Sequence, residues 1–357
     1  LNIVTIIGAR PQFVKMAVLS KEIRKYHNEI VIHTGQHYDD NLSKVFFEQL
    51  SIPQPDYNLE IGSGTHAFQT GHMMIEIEKI LIKSAPDFVL IYGDTNSTIS
   101  ASLAAIKLHI PIGHVESGLR NFDMTIPEEV NRVVSNHLAS INFAPTVTAV
   151  QNLKMEGIVN NVYLTGDVMY DSLLSNLPIA ESQSTILSDL HLNQQEYIVA
   201  TIHRPENTDN ASNLANIFSA LRDCGKEVIV PLHPRTLKEI KKIQLPDIEN
   251  TRLRIIEPLN YFDFLTLLNN ANRIITDSGG VQKEAYMLQK PCITVYDSTS
   301  WIETVEDGWN ILVKPQRDAI IDAIYNFKPP ETHNNHYGDG YAAIKIINLI
   351  NKYLENN

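Results

Sequence analysis

Residues 3–15 read IVTIIGARPQFVK: an unbroken apolar and β-branched run, then a glycine, then a proline opening an amphipathic stretch. The run suits a strand buried on both faces, and Pro11 suits the first turn of a helix, where its missing N–H and fixed φ do no harm. A buried strand passing straight into a helix is the repeating unit of an α/β fold with a parallel sheet.

The alternation continues outward from there. Val/Ile-rich runs at 30–33, 88–92, 112–115, 141–144 and 162–164 read as further strands, with helices at 11–26, 67–83, 96–108, 128–139 and 147–156. A polar stretch at 174–195 breaks the pattern, which then restarts. Strands follow at 197–201, 228–232, 253–256, 273–276, 292–295 and 311–313, and helices at 211–223, 236–243, 262–270, 281–288 and 318–325. A last amphipathic helix at 341–354 comes after the turn at 337–340. The chain of 357 residues exceeds what one core usually organises, although a single barrel is an alternative. Two α/β domains are expected, 1–167 and 168–340, with a C-terminal helix (341–357) returning to the first. No internal repeat or low-complexity segment interrupts them.

With 29 Lys and Arg against 41 Asp and Glu, the formal net charge is −12, which opposes nucleic acid and anionic membranes as partners. No stretch approaches the ~18 apolar residues of a membrane span. A phosphorylated small molecule stays open, because a few cations and helix N-termini can hold it locally. Cys224 and Cys292 have no metal-type spacing and read as buried core residues in a reducing compartment. The run at 3–7 lacks the basic flank and cleavage pattern of a signal peptide, so a cytoplasmic location is expected.

Ligands of open parallel sheets bind beyond the carboxyl ends of the strands, so the residues just after each run matter most. After the first strand, Arg10 in the turn and Lys15 one turn into the helix can hold a phosphate, although neither a dinucleotide fingerprint nor a Walker A loop is present. Three later segments carry acids: Gly93-Asp94-Thr95, Glu116-Ser117-Gly118, and Pro127-Glu128-Glu129 at a helix start. Acids on neighbouring strand ends can converge on one reacting centre and divide into an acid and a base. Histidines also follow strands, among them His203 in His203-Arg204-Pro205-Glu206-Asn207 and His233. Their spacing is not that of a metal site, and a phosphate clamp suits the His203 segment better. Finally, Asp277-Ser278-Gly279-Gly280 passes from a strand into a helix; its small residues leave amides open to a phosphate, and Glu284 one turn on can accept hydrogen bonds from a ribose.

These motifs resemble the non-hydrolysing UDP-N-acetylglucosamine 2-epimerases over nearly the whole chain: GARPQFVK, GQHYD, GDTNST, HVESGLR, PEEVNR, FAPT, HRPEN, DSGGVQKEA and YGDG. The resemblance implies two Rossmann-like domains of the glycosyltransferase-B type with the active site in the interdomain cleft. It implies a UDP-sugar substrate, a homodimer, and no cofactor, neither nicotinamide nor metal. It further implies epimerisation by elimination of UDP to a 2-acetamidoglucal and re-addition, in the supply of surface polysaccharide precursors. By motif, Asp94, Glu116 and Glu128 correspond to the catalytic acids and His203 to the catalytic histidine. Arg10, Lys15, Arg132, His233, Ser278, Gly279, Gly280 and Glu284 correspond to substrate and UDP contacts. The division of labour among the acids stays open.

Two departures bear on selectivity and regulation. Where many members carry Thr-Glu-Arg-Pro-Glu, this chain has Ser298-Thr299-Ser300-Trp301-Ile302-Glu303, a form that looks like relatives acting on UDP-2,3-diacetamido-2,3-dideoxy-glucuronate. Trp301 is expected to face the ligand. Gln36-His37-Tyr38 and His203-Arg204-Pro205 lack the outer arginines through which some bacterial members bind a second nucleotide sugar, so hyperbolic kinetics without an activator are expected. A UDP-sugar glycosyltransferase, a nucleotide-sugar binding module and a hydrolysing epimerase are the competing readings.

Overall fold

The computed structural model describes residues 1–35, 52–232, 234–242 and 252–356. They fall into two units, Leu1–Ser175 with Asn335–Asn357, and Asn176–Asn334.

The first unit holds a seven-stranded parallel sheet in the order β3-β2-β1-β4-β5-β6-β7. Its strands are β1 (Asn2–Ile7), β2 (Asn28–His33), β3 (Tyr57–Asn58), β4 (Phe88–Tyr92), β5 (Ile112–Val115), β6 (Ile141–Ala144) and β7 (Val162–Leu164). Helices α1 (Arg10–Ile23), α2 (His66–Ser84), α3 (Asn96–Lys107), α4 (Pro127–Leu138) and α5 (Val147–Met155) lie along the same chain. All five residues of β4 are buried, as a strand covered on both faces requires. Val4, Ile6, Ile32, Val89 and Ile91 share one core cluster with Met73, Ile77 and Leu81 of α2 and Ala101, Ala104 and Ala105 of α3. Those small alanines let α3 approach the sheet closely. The C-terminal helix, Ala342–Glu355, packs on α1, with His27 Nε2 2.6 Å from Asn351 Oδ1 and Tyr353 edge-on to Phe88.

The chain leaves the first unit within α6 (Val168–Gln183) and continues through α7 (Ile186–Asp189). The second unit holds a six-stranded parallel sheet, β10-β9-β8-β11-β12-β13. Its elements are β8 (Tyr197–Thr201), α8 (Pro205–Thr208), α9 (Ala211–Asp223), β9 (Glu227–Pro231), α10 (Pro234–Lys242), β10 (Leu253–Ile256), α11 (Tyr261–Asn269), β11 (Arg273–Thr276), α12 (Gly279–Met287), β12 (Cys292–Thr294), α13 (Ile302–Glu306), β13 (Asn310–Leu312) and α14 (Arg317–Asn326). Ala200, Val228, Val230, Ile275 and Ile293 pack with Leu214, Ile217, Phe218 and Leu221 of α9 and Ile320 and Ile324 of α14. Cys224 and Cys292 are both buried and unbridged, and burial pushes the Cys292 thiol up to about 12.

Both sheets are therefore Rossmann-like, and each has a point where the strand order reverses: β1 beside β4, and β8 beside β11. Ligands of such sheets bind at those points. The units divide at Ser175 and Asn334, against the expected 167 and 340. The first turns of α6 stay with the first unit because Asp167 N–H donates to the Tyr337 carbonyl at 2.9 Å and Asp171 accepts the Ala343 N–H at 2.8 Å. The stretch at 174–195, read as a polar break, is largely α6 and α7. Pro178 inside α6 disguises it, since a proline normally ends a helical pattern. Among the described residues no helix is long and apolar enough to cross a membrane.

Candidate active site

At the first reversal point, β1 enters α1 through Gly8-Ala9 and β4 enters α3 through Gly93-Asp94-Thr95. Gln12, buried in the first turn of α1, ties these turns together. Its Oε1 accepts the N–H groups of Gly8 (2.7 Å) and Ala9 (3.0 Å), and its Nε2 donates to the Tyr92 carbonyl (2.7 Å) and Thr95 Oγ1 (3.0 Å). The amides of Gly8 and Ala9 are thereby occupied within the turn. Gly8 is obligatory here: a Cβ would lie 2.1 Å from Ser97 Oγ and 2.2 Å from Thr34 Oγ1. Arg10 opens α1; its side chain, His233 and the Gln36-His37-Tyr38 segment lie outside the described residues.

Two of the anticipated acids stand on adjacent strand ends. Tyr92 of β4 and Val115 of β5 are paired in register; Glu116 follows Val115 directly, and Asp94 follows Tyr92 after Gly93. Glu116 adopts a left-handed φ of 66° and accepts from Lys15 Nζ at 2.5 Å, with side-chain exposures of 8% and 6% for the pair. Lys15, anticipated as a phosphate contact, is thus seated on a carboxylate. A Cβ on Gly93 would be 3.4 Å from Glu116 Oε1 and 3.5 Å from Lys15 Nζ, so the β4 turn backs directly onto this ion pair.

Asp94 has a different counter-ion. Arg132 of α4 donates from Nε and Nη2 to Asp94 Oδ2 at 2.9 and 2.6 Å, and from Nη1 to Glu129 at 3.0 Å and to Asn121. Burial opposes the Arg132 charge, but Asp94 and Glu129 outweigh it and hold its pKa above the ordinary value. Glu129 also accepts the N–H groups of Asn121 and Phe122, both at 2.9 Å, which orders the loop before α4. Glu128, the third anticipated acid, occupies the same first turn and is exposed. Asp94 and Glu116 thus stand at neighbouring strand ends, each with its own cation.

The second unit carries the complementary chemistry. Thr201 and Thr276 end β8 and β11 in register, their hydroxyls 2.6 Å apart. Asp277, wholly buried, accepts the N–H groups of His203 (3.1 Å) and Arg204 (3.0 Å) and the Asn207 amide (3.1 Å), and His203 Nδ1 lies 3.3 Å from its Oδ1. His203 is therefore oriented through Nδ1, while its side chain is 54% exposed and offers Nε2. Ser278 stands at the N-cap of α12 without a side-chain cap bond, so the amides of Gly279 and Gly280 are available to an anion and reinforced by the helix dipole.

Beside that turn, Lys283 Nζ lies 4.2 Å from the centre of the Trp301 ring, both residues buried. Trp301 is thus packed against the turn, and a Cβ on Gly279 would come within 3.3 Å of its Nε1. Glu284 is 7% exposed; burial, partly offset by Lys283, raises its pKa to about 7. Such a carboxyl is suited to hydroxyl donors. Among the described residues no three His, Cys, Asp or Glu side chains group as metal ligands.

The first unit thus gathers Lys15, Asp94, Glu116 and Arg132, and the second gathers His203, Ser278, Gly279, Gly280 and Glu284. Gln12, His114, Glu129 and Asp277 were given no role by the motifs. Asp277 and Glu129 lie inside quoted segments, and only burial distinguishes Glu129 from its neighbour. Gln12 and His114 also lie inside quoted segments, but the partners that give them a role, Tyr92 and Thr95 for Gln12 and Gly93 and Asn136 for His114, are distant in sequence.

The family model for UDP-N-acetylglucosamine 2-epimerase matches residues 21–351. A UDP-N-acetylglucosamine 2-epimerase homolog of Methanococcus maripaludis is 52% identical, over 98% of this chain and 99% of its own. A UDP-2,3-diacetamido-2,3-dideoxy-D-glucuronate 2-epimerase of Pseudomonas aeruginosa is 44% identical, over 99% of this chain and 100% of its own. The crystal structure of Methanocaldococcus jannaschii UDP-GlcNAc 2-epimerase in complex with UDP-GlcNAc and UDP is 42% identical, with a TM-score of 0.91 over 99% of this chain and 100% of that one. With its strand-end acids, its open α12 turn and these matches, the chain belongs to the UDP-N-acetylglucosamine 2-epimerase family.

Proposed function

We propose that this chain interconverts UDP-N-acetylglucosamine and UDP-N-acetylmannosamine without net hydrolysis. Carbon 2 bears a weakly acidic hydrogen, so its removal needs a placed base, and departure of UDP needs charge stabilised on the diphosphate. One carboxylate takes the C2 proton as the C1–O bond breaks and its electrons leave with UDP. The resulting 2-acetamidoglucal regains a proton at C2 from the opposite face, and UDP adds back at C1. The observation that carries this reading is the pair Asp94 and Glu116 on adjacent strand ends, each on its own cation. Asp94, Glu116 and Glu128 are read as the acids and His203 as the proton carrier nearest the diphosphate. Arg10, Lys15, Arg132, His233, Ser278, Gly279, Gly280 and Glu284 are read as binding the substrate. The homodimer and the supply of polysaccharide precursors rest on the resemblance, and the cytoplasmic location on the cysteine usage, Cys224 and Cys292 being buried and unbridged.

Incubation with UDP-N-acetylglucosamine in heavy water tests the mechanism. Deuterium is expected at C2 of both epimers, with no steady growth of free UDP by phosphorus NMR. Product without deuterium refutes elimination and return, and stoichiometric UDP release indicates hydrolysis.

A second reading, a 2-epimerase for the diacetamido uronate, is favoured by the Pseudomonas relative and by Trp301 in place of arginine. Lys283, 4.2 Å above Trp301, supplies a cation in that region. Initial rates on both sugars over a wide concentration range decide between them, and a hyperbolic curve without activator is expected.

A further inference from the structure

His114 is wholly buried in β5 and is hydrogen-bonded through both ring nitrogens, yet it lies outside the residues assigned above. Its Nε2 is 2.7 Å from the Gly93 carbonyl, which can only accept, so Nε2 carries the proton. Its Nδ1 then accepts from Asn136 Nδ2, also at 2.7 Å. The orientation of that amide is fixed in turn: Asn136 Oδ1 accepts from Arg120 Nη1 at 2.9 Å and from the Gly118 N–H at 3.2 Å. Arg120 is held by Glu156 through two contacts of 2.6 Å. Each donor in this relay faces an acceptor in only one arrangement.

We propose that His114 is a positioning residue for the strand-end acids, holding the peptide between Gly93 and Asp94 in the orientation that presents Asp94 beside the Lys15–Glu116 pair. This rests on the epimerase reading of that site. The Gly93 carbonyl and the Asp94 N–H belong to one peptide plane, so fixing the first fixes the backbone that carries the acid. Gly93 has a φ of 60°, in the left-handed region, and its N–H donates to the Val115 carbonyl at 3.0 Å. Its carbonyl would lack this donor without His114, and rotation of the peptide would be the simplest relief. His114 lies two residues before Glu116, so one strand carries both an acid and the brace for its neighbour.

The tautomer must persist for this to work. A protonated ring would turn Nδ1–H against the Asn136 amide hydrogens. Burial, with Arg120 adding to it, outweighs the opposing hydrogen bond to the Gly93 carbonyl and the weaker pulls from Glu116 and Asp94, and lowers the His114 pKa to about 4. The imidazole is thus a neutral donor throughout the working range of pH.

Two measurements test the proposal. In the wild-type protein, long-range ¹H–¹⁵N spectra of the histidine rings are expected to show His114 as the neutral Nε2–H tautomer, unchanged from about pH 5.5 to 8.5. A His114 that titrates in that window, or that carries its proton on Nδ1, overturns the proposal. In kinetics, His114→Phe fills the space without a donor and is expected to lower kcat by about 10²-fold with KM within about threefold, because a displaced acid costs reaction rate rather than binding. His114→Gln keeps an amide donor toward Gly93 and is expected to recover most of that loss. Equal kcat in His114→Phe and wild type overturns the proposal; if the Phe variant does not fold, a Gln variant as slow as a misfolded control does the same. Absence of epimerisation in the wild type would instead refute the functional reading, independently of the tautomer.

Discussion

Lys15 and Glu116, 101 residues apart in sequence, meet at 2.5 Å with both side chains nearly buried. Helix α1 and the end of β5 are thus joined by charge. Lys15 is thereby the counter-ion of Glu116. A phosphate arriving at Lys15 would compete with Glu116 for the same ammonium.

Breaking this pair from one side should be worse than removing it. Lys15→Met leaves a buried carboxylate and is expected to cost roughly 3–5 kcal/mol, whereas Lys15→Met with Glu116→Gln should recover more than half of that. Thermal unfolding of the two single variants and the double variant measures the coupling. Additive losses would show that the ion pair contributes nothing of its own. All three proteins should be at least about 10²-fold slower in deuterium uptake at C2.

Asp277 should be as necessary as the histidine it orients. Asp277→Asn keeps the shape but replaces one acceptor of His203 and Arg204 by a donor, so Nδ1 loses its fixed partner. Turnover is expected to fall at least about 10²-fold, as in His203→Asn, and the double variant should be little worse than either single one. Multiplying effects would mean that the two residues act separately.

The sheets were legible because their strands are continuous apolar runs: β4 reads FVLIY and every residue of it is buried. The acids and the SGG turn were legible because strand ends are marked by abrupt polarity, and Asp94, Glu116 and Ser278 all sit there. β3 escaped notice because two residues carry no periodicity, and α6 because Pro178 interrupts its pattern. The counter-ions were not legible. Lys15 to Glu116 and Arg132 to Asp94 are contacts over 101 and 38 residues, decided by how the strands are ordered in the sheet. The same holds for Gln12, whose partners at Tyr92 and Thr95 are brought to it only when β4 lies beside β1.

Glu284 should make stability and nucleotide affinity depend on pH in opposite senses. Its folded pKa of about 7 lies above the ordinary 4.5, so between these values the unfolded chain has released a proton that the folded one retains. Stability is then expected to fall as pH rises from about 4.5 to 7 and to level off above, by an amount on the order of 3 kcal/mol. Ribose hydroxyls donate to the ionised carboxylate, so affinity for a UDP-sugar should rise over the same range. Glu284→Gln should flatten both profiles. A wild-type affinity independent of pH between 5 and 8 would remove Glu284 from the ribose site.

The two glycines that open α12 should differ sharply when each is replaced by alanine. At Gly280 the nearest atom to a new Cβ is Ser278 Oγ at 3.9 Å, ordinary contact, so Gly280→Ala should fold normally. At Gly279 the Cβ meets Trp301 Nε1 at 3.3 Å, and the same indole has Lys283 Nζ 4.2 Å from its ring centre. At that distance the turn or the indole must shift by a few tenths of an ångström. With Trp301 buried, the turn is expected to take up the shift, displacing the amides at the head of α12 from the position in which they stand open to a phosphate. Gly279→Ala is therefore expected to weaken UDP binding at least about tenfold by calorimetry, with a shift in tryptophan emission that Gly280→Ala lacks. The sequence contains two tryptophans, so a Trp309→Phe background assigns the shift to Trp301. Equal UDP affinity in the two alanine variants would show that Trp301 does not set the position of the turn.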